Sequence, residues 1–219
     1  PDPPPGNWLY SNWNVADSSF VERMTTPPDP PGDFSEVPEP RFLDVSRENP
    51  HDRAIGWLAD RGVTRGCDAG RFCPDQAVTR GQMAAFLHRF VPDLGFGADG
   101  VGFGDVESDS PFASDIAWLV GTGLTRGCDE SSFCPEYPVT RGQMAAFLFR
   151  LFGGEADIGE GGFADVGSES PFVAEIAWLA DTGISNGCGA DRFCPNAPVT
   201  RSQMASFLYR VSEMYLDDD

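Results

Sequence analysis

The chain has 219 residues, enough for one large or two small domains, and a hydrophobic fraction of 41% that can fill a packed core. Its formal charge is −19, and all fifteen of its basic residues are Arg. Such an excess of acid repels nucleic acid and anionic membrane, so neither is an expected partner, and an anionic ligand would need Arg residues focused locally.

Residues 1–41 differ from the rest. The chain opens on Pro-Asp-Pro-Pro-Pro, and Pro27-Pro28-Asp29-Pro30-Pro31-Gly32 interrupts it again. Pro at this density favours an extended arm or linker over helix. Between the two runs, Trp8, Leu9, Tyr10, Trp13, Val15, Phe20 and Val21 form an apolar cluster. Such a cluster either docks on the remainder of the chain or contacts another protein or domain.

From Phe42 a pattern repeats three times. Phe42-Leu43-Asp44-Val45, Phe103-Gly104-Asp105-Val106 and Phe163-Ala164-Asp165-Val166 open units spanning residues 42–93, 103–153 and 163–213. The first Cys of each unit recurs after 61 residues (67 to 128) and again after 60 (128 to 188). The joints between units are Gly-rich and acidic, and residues 214–219 end in an acidic tail, which suits a helix C-terminus poorly. A fixed period of this kind is the primary fact about a chain, ahead of any single-residue motif.

Each unit reads as two helices around a loop. Asn49-Pro50, Ser110-Pro111 and Ser170-Pro171 predict an N-cap followed by Pro at the first helical position. Trp57, Trp118 and Trp178 ride on this first helix, with Gly62, Gly123 and Gly183 as its stops. The second helix opens on Val-Thr-Arg-x-Gln-Met. Thr79 with Gln82, Thr140 with Gln143 and Thr200 with Gln203 each have capping-box spacing. Met83, Phe86, Leu87 and Phe90 then fall at i, i+3, i+4 and i+7, an apolar helix face that the other two copies reproduce.

The six Cys fall in three pairs of one spacing: Cys67/Cys73, Cys128/Cys134 and Cys188/Cys194. This is not a usual zinc spacing, and only His51 and His88 could add imidazole ligands. Three disulfides inside the loops are the expectation, with metal thiolates or free thiols as the alternatives. Disulfides place a protein outside the cytoplasm. No signal peptide and no apolar run of spanning length is evident, and the chain starts at Pro1 without Met. It reads as a secreted, processed product or fragment that does not insert in a membrane.

With these residues in view, the chain resembles the S-layer homology (SLH) family, three repeats in tandem. The likeness covers about Phe42 to Arg210 and is carried by Phe-x-Asp-Val, the Trp-bearing helix, Gly-x-x-x-Gly, Phe-x-Pro and the Thr-Arg helix start, in that order three times. The Cys pairs look like those of actinobacterial-type members. The resemblance implies a mainly α fold in which three helix-loop-helix repeats assemble with pseudo-threefold symmetry, leaving grooves between neighbours. It also implies a non-catalytic module on the cell wall or cell surface, bound to an anionic and often pyruvylated secondary cell-wall polysaccharide. The alternative is a structural subunit of an extracellular surface lattice or filament, using the aromatic arm for contacts with other subunits. One departure is clear: the family's Thr-Arg-Ala-Glu becomes Thr-Arg-Gly-Gln at Thr79 and Thr140 and Thr-Arg-Ser-Gln at Thr200, which removes a carboxylate from the groove region.

Arg80, Arg141 and Arg201 are the leading ligand-binding candidates. Each opens a helix, where a cation opposes the macrodipole, and an anion bridging the guanidinium and free helix N–H groups would relieve that conflict. The plainer reading pairs each Arg with a nearby acid, such as Asp44, Asp105 or Asp165, or takes the Arg as copied by duplication. Gly81 and Gly142 follow, where Gly costs nearly 1 kcal/mol against Ala. Close approach of a sugar or a neighbouring backbone would justify them, and so would close helix packing. Arg65 and Arg126 precede the first Cys of units one and two, while Asn186 stands in unit three, so the grooves would not be equivalent. They are either groove residues or exposed loop charges. His51 and His88 do not recur, and no nucleophile has a recurrent His partner, so no catalytic residue, cofactor or enzyme activity is expected. Asp68 and Asp129 could suggest calcium, but Gly189 takes that place in unit three, so no metal is expected either.

Overall fold

In the computed structural model, which describes residues 41–92, 94, 102–153 and 162–214, three Thr residues turn extended backbone into helix. Thr79 and Thr140 hold extended φ/ψ, accept from the N–H three residues on, and donate their own N–H to Gln82 and Gln143; Thr200 and Gln203 exchange the same two bonds. Both halves of the capping box are therefore present in every repeat. They start α2 (Arg80–Phe90), α4 (Arg141–Leu148) and α6 (Arg201–Met214), and α4 runs on into a wider π-helical turn, Phe149–Gly153.

The first helices are α1 (Asp52–Asp60), α3 (Ala113–Gly121) and α5 (Val173–Asp181). They begin later than the Asn/Ser-Pro dipeptides predict. Asn49 instead closes a tight turn, its side chain accepting from His51 N and its carbonyl from Asp52 N, each at 2.9 Å. The first i→i+4 bond, Ile55 N to His51 O, comes only after that turn. His51, Phe112 and Phe172 are thus the residues that immediately precede the helices. Gly62, Gly123 and Gly183 end them with φ of 69°, 71° and 71°, the left-handed conformation expected of the stops.

The second helices bury Met83, Phe86, Leu87 and Phe90, with their counterparts Met144, Phe147, Leu148 and Leu151 and Met204, Phe207, Leu208 and Val211. These side chains do not pack against their own repeat's first helix alone. Helix α2 packs on α3, α4 on α5 and α6 on α1, so each second helix lies on the first helix of the next repeat and the third repeat closes on the first. Where the three meet, Val78 N donates to Val199 O, Val199 N to Val139 O and Val139 N to Val78 O, at 2.8 to 2.9 Å. All three Val side chains are buried. This cycle of backbone bonds is the pseudo-threefold centre. Among the described residues there is no strand, only isolated antiparallel pairs such as Thr79 with Pro138 and Thr140 with Pro198.

Each loop carries its disulfide, Cys67–Cys73, Cys128–Cys134 and Cys188–Cys194, and no described Cys is free. The Pro-rich arm with its aromatic cluster, most of both joints and the last five residues of the acidic tail lie outside the described residues.

Candidate ligand-binding junctions

Each Cys loop turns so sharply that its second Cys is forced to positive φ: 57° at Cys73, 59° at Cys134 and 58° at Cys194. A non-Gly residue there is disfavoured by about 1–2 kcal/mol. The recurrent Asp offsets this. Asp44 accepts from Phe72 N at 2.7 Å and Cys73 N at 2.8 Å through its two oxygens, and Asp105 and Asp165 grip the same pair in their own loops. Burial works to raise the Asp44 and Asp165 pKa values. The two backbone N–H bonds, helped by Arg71 or Arg192, outweigh it, and both carboxyls end below the usual range. Each Asp thereby ties the opening of its repeat to the Cys loop.

The gripped loop presents its Phe carbonyl to the preceding repeat. Arg80 Nε donates to Phe133 O, Arg141 Nε to Phe193 O and Arg201 Nε to Phe72 O, all at 2.7 Å. The guanidinium carbons lie 4.7, 4.6 and 4.9 Å from the centroids of the same three rings, within cation–π range. Arg80 Nη2 also reaches Thr125 Oγ1 at 3.4 Å, and Arg141 Nη2 reaches Ser185 Oγ at 3.2 Å. Arg201 Nη2 is buried with no hydrogen-bond partner. The three side chains are only 6%, 3% and 4% exposed. Burial pushes each guanidinium pKa down, against the pull of Asp105, Asp165 and Asp44 respectively, and Arg stays charged throughout.

Two details differ from the sequence reading. The helix N–H groups beside the Arg are occupied: Arg80 N donates to Tyr137 O and Gly81 N to Pro135 O, both at 2.9 Å, and the other junctions repeat this. An anion cannot use those donors, because the next repeat's loop already caps the helix. The glycines also have a specific cause. A Cβ on Gly81 would stand 2.7 Å from Phe112 Cδ2, and one on Gly142 would stand 2.5 Å from Phe172 Cδ2. The close approach is by an aromatic ring of the neighbouring repeat.

Arg65, Arg126 and Asn186 follow directly on Thr64, Thr125 and Ser185 and are exposed, as is Tyr137 at 65%. The structure thus brings Arg80 and Thr125, and Arg141 and Ser185, into one junction each, with Arg126 and Asn186 adjoining in the chain. Sequence reasoning did not find Phe133, Phe193 and Phe72 as platforms for the guanidiniums, nor Phe112 and Phe172 as the rings over the glycines. The recurrence of Phe-Cys-Pro was the available signal for the first set. The second had none, because the Phe and the Gly belong to different repeats. Asp44, Cys67 and Cys73 place ligand-type atoms within 4.8 Å of one another, but the sulfurs form a disulfide and both carboxylate oxygens accept N–H bonds, so the group cannot hold a metal.

A model of the S-layer homology domain matches residues 41–84, 102–145 and 162–205, more than half of the chain. The chain is 32% identical over 167 residues to a surface-layer 125 kDa protein of Lysinibacillus sphaericus, covering 73% of this chain and 14% of that one. It is 33% identical over 129 residues to a cell surface protein of Thermoanaerobacter kivui, covering 53% and 17%. An amylopullulanase of Thermoanaerobacterium thermosulfurigenes is 28% identical over 180 residues, covering 78% and 9%. The chain therefore spans less than a fifth of the length of each of these relatives.

Proposed function

The chain belongs to the S-layer homology domain family and is associated with the cell surface and cell wall; from that premise we propose that it is a non-catalytic anchor binding an anionic cell-wall glycopolymer at its three inter-repeat junctions. The observation carrying this reading is electrostatic. Each junction buries a permanent cation whose hydrogen bonds go to neutral groups, and none of Arg80, Arg141 and Arg201 makes an ion pair among the described residues. On a chain of net charge −19 these are local positive foci in a negative field. An acid group on the polymer, a pyruvyl ketal or a phosphate, is the complementary charge. Arg65 and Arg126, exposed beside the junctions, are the residues that can meet it directly, while the buried Arg residues shape and charge the floor. Three weak sites on one chain gain avidity on a repeating polymer.

The relatives support attachment over catalysis. A surface-layer protein and an amylopullulanase share this stretch although it is a small part of either. What they hold in common through it is more simply a tether than a reaction. The alternative, a lattice or filament subunit working through Trp8, Tyr10 and Trp13, depends on residues outside the described part, and no observation favours it.

Sedimentation with purified cell walls tests the reading. The chain should pellet with intact walls and remain in solution once the secondary polymer is chemically stripped. Binding that survives stripping overturns the assignment. Arg65→Gln with Arg126→Gln should weaken pelleting and leave the circular dichroism spectrum unchanged; undiminished pelleting would remove these two residues from the site.

A further inference from the structure

The three junctions share the Arg Nε bond to a Phe carbonyl and differ at the helix face beside it. In the first, α2 offers Gly81 and Ala85 to the neighbouring repeat, which contributes Phe112. In the second, α4 offers Gly142 and Ala146, and Phe172 fills the space. The third changes all three positions together. Helix α6 carries Ser202 and Ser206, and the residue before α1 is His51, whose Nδ1 lies 2.7 Å from Ser206 Oγ. Ser202 is buried, and its hydroxyl lies 3.1 Å from Thr200 Oγ1.

These changes match one another in size and in polarity. A Phe seated as in the first two junctions leaves no room for a Cβ on the facing residue, since the ring carbon would lie 2.5 to 2.7 Å away. Ser202 has that Cβ, so α6 cannot accept Phe112 or Phe172 without shifting. The smaller imidazole fits, and it supplies a nitrogen for the half-buried Ser206 hydroxyl, which would face carbon beside a Phe. In the reverse pairing, His51 against Gly81 and Ala85 would find no hydroxyl and would underfill the space.

We propose that the three substitutions form a register lock: the α6 surface is built to recognise the His51-bearing first repeat, of its own chain or of an exchanged second copy, and to reject the Phe-bearing repeats. The lock fixes repeat order 1-2-3-1. Without it, three homologous helices and three homologous acceptors would permit mispaired closures, the usual failure of repeat chains. This recognition is independent of what the clefts bind.

Thermal unfolding of three variants tests the fit. His51→Phe should lower the midpoint by roughly 5 °C through overpacking. Ser202→Gly with Ser206→Ala should give a smaller drop. The triple variant, His51→Phe with Ser202→Gly and Ser206→Ala, should recover most of the loss, since it writes the first junction into the third. If His51→Phe fails to fold, a folded triple variant is the same result. The triple variant has the same Gly/Ala-to-Phe contact at all three junctions, so after refolding from denaturant with disulfides intact it should give several-fold more chain-exchanged oligomer by light scattering than the parent chain. A triple variant no more stable than His51→Phe, or one with the parent's exchanged fraction, overturns the lock.

Discussion

The outer loops and the centre of this molecule are held by opposite strategies. Each Cys loop is a local device: one disulfide and one Asp grip a turn within a single repeat, using residues at most 29 positions apart. The centre is made only of contacts between repeats, such as Arg201 reaching Phe72 across 129 positions and the cycle of Val78, Val139 and Val199. Local devices can be broken one at a time. The centre depends on all three repeats being in place, so damage there should spread through the whole domain.

The largest break should come from Arg141→Ala. It leaves Phe193 O without its side-chain donor, leaves Ser185 Oγ with only its bond from Gly187 N, and strips the Phe193 ring of its cation, a loss of about 3 kcal/mol or more. Urea unfolding should remain a single transition with a lower midpoint. A separate early transition confined to one repeat would show the junctions to be independent. Gly142→Ala should follow at about 1–3 kcal/mol, opposite in sign to the helix-propensity gain of nearly 1 kcal/mol that Ala brings on an open helix, because the new methyl meets Phe172. A stabilised variant would mean that the Phe172 ring moves aside freely.

The smallest effects should separate the two regions by pH. Asp44 and Asp165 have folded pKa values below their unfolded ones, so the stability they contribute is complete above roughly pH 4. It is lost as pH falls through the lower folded values. Burial, and then Arg210, push the His51 pKa down against the pull of Asp75, so the folded chain takes up that proton later than the unfolded one. Its contribution is complete above roughly pH 6.5 and fades below it. Acid titration should therefore loosen the closing junction first and the loops last. Asp165→Asn should shrink only the lower limb, where Asp44 still acts, and His51→Ser should flatten only the upper limb. Variants that flatten the wrong limb would reverse the assignment.

Most of the local devices were legible in the residues. Thr79 and Gln82 announce a capping box because both partners lie within one turn, and Gly62 announces a helix end because a left-handed residue is needed there. The recurrence of Asp44, Asp105 and Asp165 marks them in the sequence, but their grip on two consecutive N–H groups 28 and 29 positions on does not show there. The junctions were less legible. Arg80 was recognisable as misplaced for its own helix, but its partners Phe133 and Thr125 sit 53 and 45 positions on. Gly81 makes sense only beside Phe112, which no spacing within one repeat connects to it. The start of α1 was placed early for a related reason: Asn49-Pro50 has the composition of a helix cap, and its side chain is spent on a turn that aims His51 at the neighbouring repeat.

The cycle of valines has a consequence for how many units such a module can have. In an open solenoid each repeat leaves a donor edge and an acceptor edge, so units can be appended until caps stop the stack. Here Val78, Val139 and Val199 each give one N–H and take one, and the third bond returns to the first residue. No edge remains at the axis for a fourth member. Heterologous contacts of this kind close into a ring of fixed number once the rotation completes. Length can therefore grow outside the trio, through further trios or other domains, while stoichiometry at the axis stays at three.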